Sequence, residues 1–140
     1  MIKTIDFNDP NAPALLVSSF RETGFAIINL PPVDFNLLQQ CFAAWRGFFK
    51  NPDTDYVYDS ESGAGWIDQS LSEKAKGAQS KDLKEFYHYY KGQPCPENIK
   101  QVTDDSFNML FNLSSTLLKW VEQALPAEIK AHFDRPLSDM

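Results

Sequence analysis

RETGFAIIN, residues 21–29, contains a helix stop followed directly by a short apolar run. Apolar residues recur at helical spacing over residues 12–20, and Gly24 can end that helix in a left-handed conformation because glycine has no Cβ. Residues 25–29 (FAIIN) are mostly apolar and stand between this stop and Pro31, which is typical of a buried strand. The segment therefore predicts a helix that turns into a strand.

The residues before this segment predict a strand near the start of the chain. Residues 4–7 (TIDF) alternate between polar and apolar side chains, as a short strand does. Asp9 can cap the helix that follows, with Pro10 at the first helical position, where a helix does not use the N–H. The predicted order is therefore strand, helix, strand.

A second helix is predicted after this strand. Asp34 can cap it, and Asn51-Pro52 can end it. The apolar side chains at helical spacing, which we expect to face the core, are Leu38, Cys41, Phe42, Trp45, Phe48 and Phe49. Residues 53–79 are polar and rich in turn-forming residues, so we expect irregular structure there, with a short helix near 72–76.

The last part of the chain is predicted to be mainly helical. Residues 80–90 (SKDLKEFYHYY) leave two possibilities open, because their aromatic density favours a strand whereas their Lys, Leu and Glu residues tolerate a helix. Thr103 can cap the longest helix, and Pro126 can start another that ends near Phe133. The apolar stripe of the long helix consists of Phe107, Leu110, Phe111, Ser114, Leu117, Leu118, Val121 and Leu125.

Composition and charge bound the class of protein. The 140 residues suit a single domain, and the hydrophobic content of 43%, with 11 Phe, predicts a globular one. A net charge of -6 disfavours a nucleic-acid partner, because nonspecific affinity for phosphates comes largely from Lys and Arg. We expect no signal peptide and no membrane partner, since no apolar run approaches the roughly 18 residues that cross a bilayer. Cys41 and Cys95 form no disulfide framework or metal motif, so we expect reduced thiols in a cytoplasmic protein.

The fold class that these elements predict is α+β, with helices packed on a small sheet fragment and the long helix along the core. Two short strands do not make a stable sheet by themselves, and the strand at 25–29 needs partners at its edges. We therefore expect residues 1–140 to form one domain of something larger.

Several segments together resemble the 2-oxoglutarate/iron(II) oxygenase superfamily, in particular the isopenicillin N synthase-like group. In that family a helix ends in a Gly-Phe pair before a strand of the main sheet, as at Gly24-Phe25, although residues 30–34 (LPPVD) replace the family's Asn-His turn. Gly65-Trp66 is similar to the family's Gly-Tyr pair ahead of a lid-like region. Segments that look like a bacterial iron/ascorbate oxidoreductase branch are 72–77 (SEKAKG), 82–88 (DLKEFYH) and 116–122 (TLLKWVE).

The resemblance covers essentially the whole chain but only the N-terminal region of the family. It implies a truncated protein, a fragment or the product of a split gene, that lacks the catalytic double-stranded β-helix barrel. An intact family member uses 2-oxoglutarate and Fe(II), the iron being held by two histidines and one carboxylate. We expect no cofactor and no metal site in this chain alone, and we leave open whether it is an enzyme.

The histidine and arginine motifs of the family have no good match here. His132-Phe133-Asp134 fits His-x-Asp as a string, but no later histidine follows it. Residues 135–138 (RPLS) are one residue too long for the family's Arg-x-Ser motif, which binds 2-oxoglutarate. Gly-rich phosphate loops and the Gly-x-Ser-x-Gly nucleophile elbow are also absent from the sequence, which disfavours those enzyme classes.

The resemblance implies that part of the 72–90 region lines the substrate pocket of the complete protein. The candidates are Lys84, Glu85, Tyr87 and His88. Each charged candidate also has a simpler interpretation. Lys84 and Glu85 are then solvated charges, and His88 is a partly buried histidine that a hydrogen bond satisfies among aromatic neighbours. No residue is assigned a catalytic role.

Arg21, Phe25 and Ile27 are candidate contacts with the missing barrel. Phe25 and Ile27 lie on the strand that would extend the sheet of the barrel. Arg21 would help to anchor the segment, although a charge pair with Glu22 at the helix end is the simpler interpretation.

Two classes of function remain open on the sequence. The first is an oxygenase N-terminal domain that packs on a barrel, in the same chain or a separate one, and helps to line the substrate pocket without being catalytic alone. The alternative is a stand-alone binding module that kept the scaffold and forms a homodimer, or captures a partner strand, through its exposed sheet edge.

Overall fold

The computed structural model describes residues 1–71, 74, 76–77, 79–81 and 83–137. Its contacts divide the chain into two compact units. The first unit combines Met1–Phe35 with Phe107–Met140, and the second unit is Asn36–Ser106. The described residues contain four α-helices and two two-stranded sheets, and they form no closed barrel. The predicted α+β class is therefore confirmed, whereas a single domain over residues 1–140 stays a prediction.

In the first unit, a helix connects two parallel strands. Strand β1 (Thr4–Asp6) pairs with β2 (Ile27–Asn29) so that Thr4 lies opposite Ile27. Parallel neighbours need a crossover connection, and helix α1 (Ala12–Thr23) provides it. The core of this unit consists of the buried residues Ile5, Ala12 and Leu16, packed by Leu15, Ala26, Ile28, Leu117, Trp120 and Val121.

The two ends of α1 differ in how well the sequence predicted them. Gly24 ends the helix as expected, with a φ of 78° and its N–H donating to the Phe20 carbonyl at 2.9 Å. The predicted start is wrong, because the helix begins at Ala12 and Asn11 is its N-cap. Asp9 instead forms a turn before the helix, in which its carboxylate accepts the Asn11 N–H at 2.7 Å.

Strand β2 is shorter and more exposed than the sequence predicted. It spans three residues, and Phe25 and Ala26 lie outside it. The side chains of Phe25 and Ile27 are 66% and 53% exposed, so the prediction of a buried strand is wrong for this part of the chain. The Ile27 N–H donates to the Lys3 carbonyl, and the Phe7 N–H donates to the Asn29 carbonyl. Because backbone direction alternates along a strand, the N–H and C=O of Ile28 point away from β1.

The second unit packs two helices against an antiparallel strand pair. Helix α2 (Phe35–Lys50) is followed by a 3-10 turn at Thr54–Tyr56. Strand β3 (Gly65–Ile67) pairs with β4 (Phe86–His88), with Trp66 opposite Tyr87. The core consists of Phe48, Cys95 and Ile99, packed by Ala44, Trp45, Phe49, Trp66, Tyr87, Tyr89 and Val102.

Strands β3 and β4 lie in two segments whose structure the sequence predicted wrongly or left open. Residues 53–79 were predicted to be irregular, yet β3 lies within them because it finds a partner in β4, far along the chain. The ambiguous segment 80–90 contains strand β4 rather than a helix. The predicted short helix near 72–76 lies mostly outside the described residues.

The longest helix, α3 (Glu97–Gln123), begins six residues before the predicted cap. Thr103 is therefore inside the helix, where it is 6% exposed and its hydroxyl donates to the Ile99 carbonyl at 2.8 Å. The prediction that Thr103 caps α3 is wrong. Pro96 directly precedes Glu97, a position at which proline favours a helix start.

Not every residue of the predicted apolar stripes is buried. On α2, Phe48 is 8% exposed whereas Phe42 is 72% exposed. On the part of α3 in the first unit, Leu117 and Val121 pack on the core, but Phe107, Leu110, Phe111 and Leu118 are 40–57% exposed. Pro126 precedes a last short helix, α4 (Ala127–Lys130), as predicted, but the helix ends before the predicted end near Phe133. No helix in the described part of the chain is both long and apolar enough to cross a membrane.

Candidate functional site

Strand β4 and the residues around it carry the predicted pocket residues, but the structure does not bring all four together. Tyr87 points to the core of the second unit, where its ring lies 4.8 Å from that of Trp45 and 5.7 Å from that of Phe48. His88 is the next residue along the strand, so its side chain takes the opposite face. The four candidates therefore do not form one cluster.

An open cleft of about 380 Å³ lies in the second unit. The described residues that line it are Trp45, Phe49, Glu85, Phe86, Tyr87, Tyr89 and Thr103. Two of the predicted pocket residues, Glu85 and Tyr87, therefore belong to it, while Lys84 and His88 are not among its described lining residues. Most of the wall is aromatic, and Glu85 is the charged group among these residues.

Side-chain hydrogen bonds hold the polar groups of the cleft in place. Glu85 is partly buried, and its Oε2 accepts the indole N–H of Trp66 at 3.1 Å. Trp45 donates its indole N–H to the Thr103 hydroxyl at 3.0 Å, and Thr103 in turn donates to the Ile99 carbonyl. The cleft is thus built from α2, β4 and the first turns of α3, fixed by contacts between distant parts of the sequence.

Both tyrosines of the cleft are neutral over the whole ordinary pH range. Burial raises the pKa of Tyr87 to about 12, and its hydroxyl donates to the Pro94 carbonyl at 2.8 Å. Burial, and a hydrogen bond that Tyr89 donates to the Asp104 carboxylate, raise the pKa of Tyr89 to about 12. Burial likewise raises the pKa of the Cys95 thiol to about 11, which disfavours a thiolate nucleophile at this position.

Alkaline pH is expected to destabilise the second unit through these tyrosines. An unfolded tyrosine titrates near pH 10, so the folded state favours the neutral form of Tyr87 and Tyr89. This stability is fully present below pH 10 and is lost as the pH rises towards about 12. Absorbance at 295 nm should show a late tyrosinate component that the double variant Tyr87→Phe/Tyr89→Phe loses. A single tyrosinate transition centred near pH 10 for all tyrosines of the folded chain would contradict this prediction.

The other two pocket candidates lie beside the cleft. The ring of His88 is partly buried and contacts those of Tyr58, Phe86 and Tyr90, with centroids 5.9, 5.0 and 6.4 Å away. Lys84 is exposed, and its ammonium lies 5.4 Å from the centroid of the Phe86 ring. The substrate-contact role of all four candidates stays a prediction.

The predicted barrel contacts are at the surface of the first unit. Arg21, Phe25 and Ile27 are all exposed, and the latter two present large apolar side chains to solvent. Glu22 does not form the expected ion pair with Arg21. Glu22 instead bonds to the Lys3 ammonium at 2.9 Å, which lowers the pKa of its carboxyl.

The described residues do not fit an iron site of the two-histidine, one-carboxylate kind. No group of three His, Cys, Asp or Glu side chains within the described ranges comes together as metal ligands. The ring contacts of His88 are aromatic, and His132 follows α4, with its N–H donating to the Ile129 carbonyl. No chemical step through iron is therefore derived from these residues.

The fold resembles a solved structure, that of a putative oxygenase from Shewanella oneidensis. The two chains are 30% identical in sequence and superpose with a TM-score of 0.86. The match covers 99% of this chain and 48% of that chain, so the chain spans about half the length of this relative. No family model and no curated protein matches the sequence. The chain thus has the fold of part of an oxygenase-like protein.

Sequence reasoning missed several residues that shape the cleft. Trp45 and Phe49 were assigned to a core stripe, and Thr103 to a helix cap. No role is predicted for Tyr89, which belongs to the aromatic run at residues 86–90. The aromatic density of that run was the available signal, but only the pairing of β4 with β3 shows which rings face the cleft.

Proposed function

We propose that this chain is the N-terminal part of a 2-oxoglutarate/Fe(II)-dependent oxygenase of the isopenicillin N synthase-like superfamily. In this proposal it packs on the catalytic barrel, helps to line the substrate pocket and is not catalytic alone. The observation that carries the proposal is the superposition of 99% of the chain on 48% of the putative oxygenase from Shewanella oneidensis at 30% identity. Fe(II) and 2-oxoglutarate would be bound by the barrel, since the residues described above do not fit the iron.

The first unit offers a surface for such a barrel. Within the part of the chain that the structure describes, strand β2 has one parallel partner, β1, and the N–H and C=O of Ile28 face away from it. Phe25, Ile27 and Leu30 flank this edge with large side chains that are 53–66% exposed. An exposed edge with apolar neighbours is a template for a further strand, which a sheet of the barrel would supply.

The second unit would contribute the cleft to the substrate pocket. Glu85 and Tyr87 are its predicted residues, and Trp45 and Tyr89 join them. Concave sites with mostly aromatic walls and a few fixed polar groups are typical of small-molecule binding. Lys84 and His88 would then contact the substrate from outside the cleft.

The first test is the reading frame that continues from the Met140 codon in the genome. We expect it to encode His-x-Asp or His-x-Glu, a later histidine and Arg-x-Ser. The two parts, expressed separately, should then associate when mixed, as calorimetry would measure. A frame without these motifs, in the same or a neighbouring gene, contradicts the proposal.

A pair of matched variants tests the docking edge. Ile27→Lys places a charge on β2, where burial against a barrel strand would leave it unpaired, so association should weaken at least about tenfold. Ile129→Lys makes the same change on α4, at a side chain 41% exposed, and should leave the affinity unchanged. Equal loss in both variants would show that the β2 edge is not the docking site.

The same exposed edge favours a second candidate function, a stand-alone interaction module that forms a homodimer. A second copy would pair its β2 with this one and cover Phe25 and Ile27. Sedimentation equilibrium separates the two candidates. A dimer that Ile27→Lys dissociates supports the module, whereas a monomer that binds the barrel supports the oxygenase.

A further inference from the structure

We propose that the cleft of the second unit binds the ammonium group of a small organic ligand. This ligand would be the substrate of the pocket proposed above. That identification as a substrate rests on the proposed function, whereas the binding itself does not. The proposal is based on three features of the cleft: its aromatic walls, its one carboxylate among the described lining residues, and side-chain donors that already bond to acceptors within the chain.

The walls of the cleft are suited to a cation. Trp45, Phe49, Tyr87 and Tyr89 line it, and aromatic faces attract ammonium groups through their negative quadrupole potential. The rings are held by one another, since Trp45 lies 6.0 Å from Phe49 and 4.8 Å from Tyr87 between centroids. A preformed set of rings binds without losing much rotamer freedom.

The charge of the cleft has the matching sign. Glu85 is the one charged residue among the described lining residues. Its Oε2 is fixed by the Trp66 indole, and its Oε1 makes no hydrogen bond to the described part of the chain. A carboxylate held in place with one oxygen available attracts a cation and repels an anion.

The side-chain donors of the cleft have acceptors within the chain. Trp45 donates to Thr103, and Thr103 donates to the Ile99 carbonyl. The hydroxyls of Tyr87 and Tyr89 donate to the Pro94 carbonyl and to Asp104. A ligand that needs donors, such as a carboxylate or phosphate, would have to break these bonds, whereas a cation meets an aromatic and acidic wall without doing so.

The volume of the cleft sets the size of the ligand. About 380 Å³ lies at the lower end of the range for small-molecule sites. A trimethylammonium or alkylammonium group with a short chain fits such a space.

Choline and 3,3-dimethyl-1-butanol are the probes that test the inference. They have the same shape, but the alcohol replaces the charged nitrogen by carbon, so their difference isolates the charge. We expect calorimetry with the purified chain to give choline at least about tenfold tighter binding than the alcohol. Equal affinities, or no saturable binding of choline at tens of millimolar, would overturn the proposal.

Two variants locate the binding. Glu85→Gln keeps an oxygen acceptor for the Trp66 indole and removes the charge, so it should weaken the binding of choline and leave that of 3,3-dimethyl-1-butanol unchanged. The aromatic walls would retain part of the preference for the cation. Glu128→Gln removes an equal charge from exposed α4 and should change nothing. A similar loss in both variants would indicate nonspecific charge attraction and contradict the assignment to the cleft.

The outcome is separable from that of the proposed function. If the chain associates with a barrel but does not bind choline, only the cation site is wrong. If choline binds as expected but no barrel associates, the cation site stands and the oxygenase role fails.

Discussion

Phe48→Ala is expected to lower the free energy of unfolding by about 3–5 kcal/mol. Phe48 is the large aromatic residue of the second core, 8% exposed, and its ring contacts those of Trp45, Phe49, Trp66 and Tyr87 at centroid distances of 5.6–6.3 Å. Truncation removes these contacts and leaves a cavity that the rings around it fill only in part, since Trp45, Trp66 and Tyr87 are each held by a side-chain hydrogen bond. Urea unfolding followed by tryptophan fluorescence measures the change.

Phe42→Ala is the matched control on the same helix. Phe42 has the same side chain but is 72% exposed, so its removal should change the free energy of unfolding by less than about 0.5 kcal/mol. The pair separates the loss of a phenyl ring from any effect on the helix backbone. Similar destabilisation by both changes would mean that α2 does not bury the face described here.

Gly65→Ala is expected to destabilise the chain by about 3–5 kcal/mol, for a backbone reason. Gly65 has a φ of 116°, which L side chains rarely adopt. A Cβ at this position would lie 2.7 Å from the Tyr58 Cα and the Val57 carbonyl oxygen, so backbone rather than a flexible side chain would have to move. The segment at 57–59 runs beside β3, with the Tyr58 N–H bonded to the Trp66 carbonyl at 2.9 Å, and this contact would be lost first.

Gly47→Ala provides the contrasting substitution. Gly47 lies within α2, and a Cβ there would meet no atom within 4 Å. Alanine favours a helix over glycine, so this change should raise the free energy of unfolding by about 0.5–1 kcal/mol. Opposite signs for the two variants in the same urea experiment are the expected result. A Gly65→Ala variant that is as stable as the parent chain, or more stable, would contradict the backbone conformation assigned at Gly65.

The predictions that held rest on signals that act over a few residues. Gly24 ends α1 because a residue without Cβ can take the left-handed conformation, whatever the rest of the chain does. Pro126 marks the start of α4 for an equally local reason. The α+β class followed from the order of such elements, and the solved structure that superposes on the chain supports the oxygenase-like part of the resemblance.

The predictions that failed depended on distant partners. Strand β3 has three residues, too few for a propensity signal, and exists because β4 pairs with it from about twenty residues further on. Thr103 has the chemistry of a cap, yet it lies inside α3. Its hydroxyl donates to the Ile99 carbonyl and accepts the indole N–H of Trp45, 58 positions away. Strand β2 was expected to be buried, but burial depends on a neighbour that the described residues do not supply.

The sequence by itself determined where α1 and α2 stop, the α+β class and the resemblance to an oxygenase, since caps, turns and motifs are local. The tertiary structure alone decided which aromatic residues meet at the cleft, why position 65 accepts only glycine, and that the β2 edge is exposed. The physical reason is the same in each case: close packing and strand pairing join residues far apart in the chain, and no local pattern records such contacts.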